Sequence, residues 1–532
     1  MSPTPKILSF AVMMALAGTA AAVGNPQAQD RALGLIKAHG AAVKASPADA
    51  YVARDVIVDA DGAEHVRFDR TYGGLPVIGG DFVVHSRGGQ LTSTSLTLAA
   101  PLSVNLRPNL HSDEAIVAAG AEFGSTFLGN PETSLVVYAR DHGAAKLAYK
   151  VGFQGADQDD NPIDMTYLVD AKSGKVLDRW SNIETGKPSG GGTTCTSTTS
   201  AAGTGKTLFS GNVAITTTNC GTSFQMKDPT RGGGYTTDLN NGTSGTGTIF
   251  SDADNSWGNN TVSDRASAAA DAHYGIATTW DYYKNVHLRN GIANDGKGAL
   301  SKVHYGRNYV NAFWSDACFC MSFGDGDGTT YAPLVDLDVA GHEMTHGVTS
   351  RSANLAYSGE SGGLNESTSD IFGTMVEFYA NNASDVGDYL IGEKLFINYP
   401  AGNKGLRYMY HPSLEGAGRS VDCYSSTVGS LDVHFSSGPS NHFFYLLAEG
   451  SGAKSFNGVD HTSPTCNGST VTGIGRAAAE KIWYRALTVN MTSNTNYAGA
   501  RAATLTAATY LYGAGSVQYN AVAAAWSAVS VN

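Results

Sequence analysis

The sequence predicts an α+β protein with a leading α+β segment and a two-lobed body, β-rich ahead of one central helix and helical after it. Three observations predict this. Strand-like runs broken by Gly-, Asn- and Ser-rich turns dominate up to about residue 330. The stretch His342-Glu343-Met344-Thr345-His346 has helical spacing, with two imidazoles one turn apart on one face. Beyond Asn441 the chain becomes alanine-rich at helical lengths.

The leading residues form a signal peptide by pattern. Lys6 precedes an apolar run from Ile7 to Ala17, and Ala20-Ala21-Ala22 offers a small-residue cleavage site. The run is too short to span a bilayer, and no later segment is apolar enough, so the chain is expected to be secreted, with no membrane partner. The body, 532 residues in all with net charge −12, can bury more than one core. The acidic balance excludes nucleic acid as a partner. The expected division is 1–22 signal peptide, 23–100 a β-rich unit, 101–188 an α+β unit, 189–350 a first lobe and 351–532 a helical lobe.

In chain order, Asp30 to Val43 carries the apolar spacing of an amphipathic helix. Val52 to Leu98 alternates strands and tight turns. Ser112 to Phe123 opens with Ser-Asp-Glu, a helix start. Leu135–Tyr138, Leu147–Val151 and Met165–Val169 read as strands of one antiparallel sheet, closed by a turn at Asp170–Val176. This region contains no cluster of candidate catalytic side chains. Ser189 to Gly205 reads as a Gly/Ser/Thr linker. Gly205-Lys206-Thr207 is no phosphate loop, because Ser200 stands where its first Gly is needed.

Thr207–Phe209, Val213–Thr216 and Ser223–Met226 are expected strands, and Ser263 to Tyr283 a helix. Val303 to Val310 reads as a strand and Asn311-Ala312-Phe313-Trp314 as an edge segment. Gly324 to Gly328 reads as a structural turn, lacking the spaced acids of a calcium loop. The central helix is expected over Leu334–Ser350 and a second one through Glu366 to about Asn381. Four more follow at Asn441–Glu449, Gly473–Leu487, Tyr497–Tyr512 and Val517–Val529, and no further binding module is expected after them.

The central helix carries the chemistry. His342 and His346 can aim both rings at one Zn²⁺, and Glu343 then lies beside the metal, where a carboxylate can take a proton from water. Catalytic zinc usually takes a third protein ligand. Asn365-Glu366-Ser367-Thr368-Ser369-Asp370 offers Glu366, with nineteen residues between it and His346, and Asp370 placed to accept from a ligating imidazole.

With these two motifs the chain resembles the thermolysin-like metallopeptidases of the gluzincin clan, among them secreted bacterial neutral proteases and elastases. A metzincin would need His at position 352, which is Ser. The resemblance implies a two-lobed catalytic domain with the zinc helix between the lobes, and an endopeptidase cutting before bulky apolar residues. It implies that the leading region is a two-part propeptide, both folding aid and inhibitor, removed between Glu184 and Cys195. By the same resemblance Tyr357 and His434 face the oxyanion, Asp432 orients His434, and Asn365 supports the zinc ligands. Asn311, the Ala312 carbonyl and Arg407 would hold substrate. A structural Ca²⁺ would lie on Asp338, Glu377, Asp388 and the Leu390 carbonyl, with Glu393 and, less firmly, Asp385 nearby. Gly387 stands where a second calcium site would need an acid, so one ion is expected.

The expected partners are peptide substrates and the chain's own propeptide, the mature protein being a monomer. The alternative reading is a catalytically silent zinc-binding protein on the same fold; an exopeptidase would need a charged anchor that the sequence does not offer. Six cysteines, all after the leading region, suggest disulfides. The favoured pairs are Cys195–Cys220 and Cys423–Cys466, which leaves Cys318 and Cys320 as a tight loop.

Overall fold

The computed structural model describes residues 25–125, 127–140, 143–156, 162–182, 195–398, 404–415, 418–456 and 459–532. The expected signal peptide and the expected cleavage segment before Cys195 lie outside the described residues.

The first helix, α1 (Pro26–Ala38), starts where Asn25 accepts a hydrogen bond from the Ala28 N–H and Pro26 pre-sets the first turn. It begins and ends earlier than expected, leaving only a 3₁₀ turn at Gly40–Val43. Ala28, Ala32 and Ile36, one turn apart, pack on Val66, Phe68, Phe82 and Val84. Those residues belong to β2 (Ala63–Tyr72) and β4 (Phe82–Arg87), which alternate with β1 (Asp49–Val58), β3 (Leu75–Ile78) and β5 (Gln90–Leu96). Then α2 (Ser112–Phe123), with the expected bounds, lays Ala115, Ala119 and Phe123 on the second group of strands. These are β6 (Phe127–Tyr138), β7 (Lys146–Ala156), β8 (Pro162–Asp170) and β9 (Val176–Ser181). The two groups share one nine-stranded sheet, because β3 pairs antiparallel with β2 and parallel with β6 (Val77 opposite Val137).

The linker reading needs correction at its far end. Ser200–Lys206 is strand β10, paired antiparallel with β11 (Asn212–Asn219). Composition misled here, because the glycines serve close packing. A side chain on Gly203 would meet Asn255 Oδ1 at 2.4 Å. Thr207 to Phe209 is accordingly a turn and not a strand. The strand expected over Val303–Val310 is Leu300–Tyr305, and the edge segment is Ala312–Ser315.

Helix α3 (Arg265–His287) is capped by the Asp264 side chain, which accepts from Ala266 N. The central helix α4 (Leu337–Ser350) begins three residues later than expected, with Asp336 as its cap. Every residue from Leu337 to Thr349 is buried. Its Val339, Ala340 and Met344 belong to the core of the β-rich lobe, while Leu337 and Val348 belong to that of the helical lobe. One helix therefore ties two cores together. Helix α5 (Gly359–Ala380) crosses it, followed by α6 (Val433–Ser436), α7 (Gly438–Glu449), α8 (Arg476–Arg485), α9 (Tyr497–Tyr512) and α10 (Val517–Ala528). The architecture is the α+β one predicted, with the β-rich lobe before α4 and the helical lobe after it.

All three disulfides are formed: Cys195–Cys220, Cys318–Cys320 and Cys423–Cys466. Among the described residues no helix is long and apolar enough to cross a membrane.

Candidate active site

The site exists because α4 and α5 touch backbone to backbone. A side chain on Gly373 would meet the Asp338 carbonyl at 2.5 Å, and one on Gly341 would meet Gly373 Cα at 3.1 Å. This close approach brings Asn365, Glu366 and Asp370 of α5 against His342 and His346 of α4. His342 Nδ1 lies 2.9 Å from Asp370 Oδ1, and His346 Nδ1 lies 2.8 Å from Asn365 Oδ1. Both acceptors are oxygens, so each ring donates from Nδ1 and turns an Nε2 lone pair inward.

The two Nε2 atoms are 3.0 Å apart. The Glu366 oxygens lie 3.5 Å from His342 Nε2 and 3.4 Å from His346 Nε2. With both rings neutral, the form in which a histidine binds a metal, three electron-pair donors converge on one point. Glu366 is fully buried, and its Oε2 accepts no hydrogen bond among the described residues. Burial opposes its charge, but the His434, His342 and His346 imidazoles outweigh burial and hold its carboxyl well below the usual range. The donor set and spacing fit one tetrahedral Zn²⁺, for which N and carboxylate O ligands sit at about 2.0–2.2 Å.

Around these donors stand the other expected residues. Glu343 is buried, and that burial pushes its carboxyl above the ordinary range. The Tyr357 hydroxyl donates to Glu366 Oε1 and lies 3.4 Å from His434 Nε2. His434 turns its Nδ1 to Asp432 Oδ1 at 2.8 Å. Burial opposes the imidazolium, but Glu366 and Asp432 outweigh it, so His434 is raised above an ordinary histidine. The short helix α6 presents this pair, capped by Asp432 itself.

Arg407 lines the cleft and forks onto Asp370 at 2.6 and 2.7 Å. Asn441 of α7 donates to Asp370 Oδ2 at 2.8 Å. Sequence reasoning missed Asn441, since nothing around it marks a site, and missed the contact of Arg407 with Asp370.

The cavity above these groups has a volume of about 1850 Å³. Val339, Ile391, Leu395 and Leu406 give it an apolar side next to Arg407. Asn311 and Ala312 line it too, Ala312 opening the strand at the edge of its sheet. Met165, Val176, Leu177 and Asp178 of the leading segment line the same cavity as His342, His346 and Glu366.

A second acidic cluster lies at the far end of the helix pair. Glu377, Asp385 and Glu393 bring carboxylate oxygens within 4.8 Å of one another. Asp338 accepts from Gly392 N, Glu377 from Asp388 N, and Asp388 from Leu390 N. Asp336, unforeseen as a cluster member, accepts from Lys394 N. Oxygens of Asp338, Asp385 and Glu393 are buried without a hydrogen-bond partner among the described residues. Burial first, then repulsion from neighbouring carboxylates, pushes Asp338 up to about 7 and Asp388 to about 6. The less firmly expected Asp385 and Glu393 are thus central to the cluster.

A helix-borne His-His-Glu donor set with a neighbouring carboxylate, at the floor of a cleft between a β-rich and a helical lobe, is the architecture of a zinc metallopeptidase. Family models make this specific. The thermolysin metallopeptidase catalytic domain matches residues 202–350 and its alpha-helical domain residues 353–531. The fungalysin/thermolysin propeptide motif matches residues 49–97. The chain belongs to the thermolysin metallopeptidase family.

Among its relatives, a transglutaminase-activating metalloprotease of Streptomyces mobaraensis is 50% identical over 90% of this chain. This chain spans 61% of that relative's length. The thermolysin of Alicyclobacillus acidocaldarius subsp. acidocaldarius is 38% identical over 88% of this chain and 83% of its own. Among solved structures, the precursor of protealysin from Serratia proteamaculans aligns with a TM-score of 0.44 at 29% identity, covering 56% of this chain and 87% of that one.

Proposed function

We propose that this chain is the precursor of a secreted zinc endopeptidase that cuts peptide bonds on the amino side of bulky apolar residues. The observation that carries the proposal is the convergence of His342, His346 and Glu366 beside Glu343 on the floor of the cleft. Bound there, Zn²⁺ would polarise the scissile carbonyl and acidify the attacking water.

The chain's own residues do the rest. Glu343, raised by burial, takes the proton of the attacking water and returns it to the leaving amine. Tyr357 and the Asp432-oriented imidazole of His434 donate to the developing oxyanion. Asn311 and the Ala312 carbonyl pair with the extended substrate along the sheet edge. Arg407 binds a substrate carbonyl while the apolar side of the cleft takes the residue after the cut.

The acidic cluster would hold structural Ca²⁺, using Asp338, Glu377, Asp388 and the Leu390 carbonyl together with Asp385 and Glu393. Among the described residues, six carboxylates, Asp336 included, face Lys394 as their one cation, a charge excess that suits a hard cation with six to eight oxygens. Residues 1–22 direct export, 23–188 form the propeptide, and the lobes 189–350 and 351–532 act as a monomer once it is removed. The residues of β8 and β9 that line the cleft support inhibition by the leading segment.

The test uses processed protein and a quenched peptide blocked at both ends, with and without a zinc chelator. Chelator-sensitive cleavage before an apolar residue, read by product mass, is expected. No cleavage despite bound zinc and a removed leading segment would overturn the reading in favour of a silent zinc-binding protein.

A further inference from the structure

The leading segment meets the catalytic lobe through hydrogen bonds and ion pairs concentrated at a few places. At one end Arg485 of α8 forks onto Asp59, and Asp81 accepts from Ser493 N. At the other end Arg140, two residues past β6, crosses to the start of α5. It is the more completely coordinated contact. One terminal nitrogen lies 3.1 Å from Ser358 Oγ and 3.2 Å from Ser361 Oγ. The other holds Asp178 of β9 at 3.0 Å, and Nε lies 3.4 Å from Asn494 Oδ1. Asn494 also donates from Nδ2 to the Arg140 carbonyl at 2.8 Å, so one side chain grips both ends of the residue. The Trp180 ring stands 5.7 Å from the guanidinium carbon. Arg140, Ser361 and Asn494 are all buried.

A buried guanidinium is costly unless its donors are met, and its fork matches fixed acceptors in a way a lysine cannot. Here the charge is neutralised within the leading segment, by Asp178, while the lobe contributes neutral oxygens. Glu360, which lies between the two serines, is engaged elsewhere, by the Tyr497 N–H and the Tyr424 hydroxyl. The lobe-side acceptors therefore suit an arginine that arrives already paired. Their position matters as much as their chemistry. Ser358 is the cap residue of α5 and follows Tyr357 directly, and α5 carries Glu366 and Asp370. Holding Ser358 and Ser361 holds the end of the helix that builds the metal centre.

We propose that Ser358, Ser361 and Asn494 form an arginine-accepting site on the catalytic lobe, filled in the precursor by Arg140, and that this contact anchors the leading segment over the cleft. The proposal rests on reading the leading segment as a removable inhibitor. It adds the residue that fastens it and the lobe surface that receives it.

The test uses the full-length precursor carrying Glu343→Gln, so that the chain stays intact. Amide hydrogen exchange is followed in β8, β9 and residues 358–365, together with the rate at which a chelator strips added zinc. Arg140→Met is expected to speed exchange on both sides of the junction about 10-fold or more, and Arg140→Lys to recover only part of it. Asn494→Ala should act in the same direction, and the Arg140→Met/Asn494→Ala pair should add little to either alone. Arg140→Met exchanging like its parent, or full additivity in the pair, would overturn the proposal.

Arg140→Met also removes the ion-pair partner of Asp178. If that variant does not fold, Arg140→Met/Asp178→Asn restores neutrality and must show the same acceleration, and Asn494→Ala, which alters only the lobe, must show it independently. Exchange does not require turnover. A failed peptidase assay on the processed protein therefore leaves this result readable, and a failed anchor leaves the peptidase reading standing.

Discussion

Asp370 and His342 face each other at 2.9 Å, and every remaining acceptor position of that carboxylate is filled. Arg407 takes two of them and Asn441 another. The carboxylate is fully buried; burial opposes its charge, but Arg407 and His342 outweigh it and hold its carboxyl well below the usual range. A permanently ionised acceptor fixes the His342 tautomer, so that Nε2 meets the metal as a lone pair. Asp370→Ala is expected to weaken zinc binding about 10- to 100-fold, with Asn441→Ala doing less. Competition against a chromogenic chelator reads both, and unchanged affinity in Asp370→Ala would show that the orientation comes from elsewhere.

Glu343 is buried beside the His342, His346 and Glu366 donor set without belonging to it. Replacing it by Gln keeps the shape and removes the base. Zinc content should stay at the parent level while kcat/KM on a blocked peptide falls about 10²- to 10⁴-fold. A variant that lost zinc instead would assign Glu343 to the metal, and one that kept full activity would remove it from the reaction.

The acidic cluster predicts a dependence on calcium distinct from that on zinc. Six carboxylates are pushed upward, by burial first and, for all but Asp385, by repulsion from one another, so a cation is what would keep the full set ionised near neutral pH. Dialysis of the processed protein against calcium-free buffer with zinc supplied is expected to lower Tm by roughly 5–10 °C. Added Ca²⁺ should restore it where Mg²⁺ does not, because the smaller ion demands tighter octahedral geometry. A Tm indifferent to Ca²⁺ would mean the acids are simply protonated.

Much of the centre could be read from sequence because it obeys helical spacing. His342, His346, Glu366 and Asp370 lie one turn apart in pairs, and Asn365 lies beside Glu366. Asn441 could not be read, since its contact with Asp370 depends on how α7 packs across α5, seventy-one residues away in sequence. Asp336 falls inside the helix expected from Leu334; in the structure it caps α4 instead, and it joins the cluster only because Asp385 folds back beside it. Ser200–Lys206 has linker composition, yet its small residues are what close packing against Asn255 and Ala270 requires. The shared sheet of the leading segment was equally hidden, because β3 is only four residues long and pairs on both edges.

His85 gives the leading segment its own response to acid. It is buried in β4, with Nδ1 2.7 Å from His65 Nδ1 and Nε2 2.9 Å from Ser95 Oγ. His65 in turn meets Asp59, which also binds Arg485 across the junction. Burial first, then the charges of His65, Arg67 and Arg485, push the His85 imidazole down to about 3, with Asp59 opposing. A histidine depressed on folding binds its proton more tightly when unfolded, so its contribution is intact above about pH 6.5 and is lost as pH falls toward 3. One such group costs about 2 kcal/mol by pH 5. Urea denaturation of the intact Glu343→Gln precursor, with Ca²⁺ present so that the acidic cluster stays ionised, should show this loss between pH 7 and pH 5. His85→Gln keeps a hydrogen-bonding side chain without a titrating one and should flatten the slope in that range. An equal slope in both proteins would place the acid sensitivity on another group.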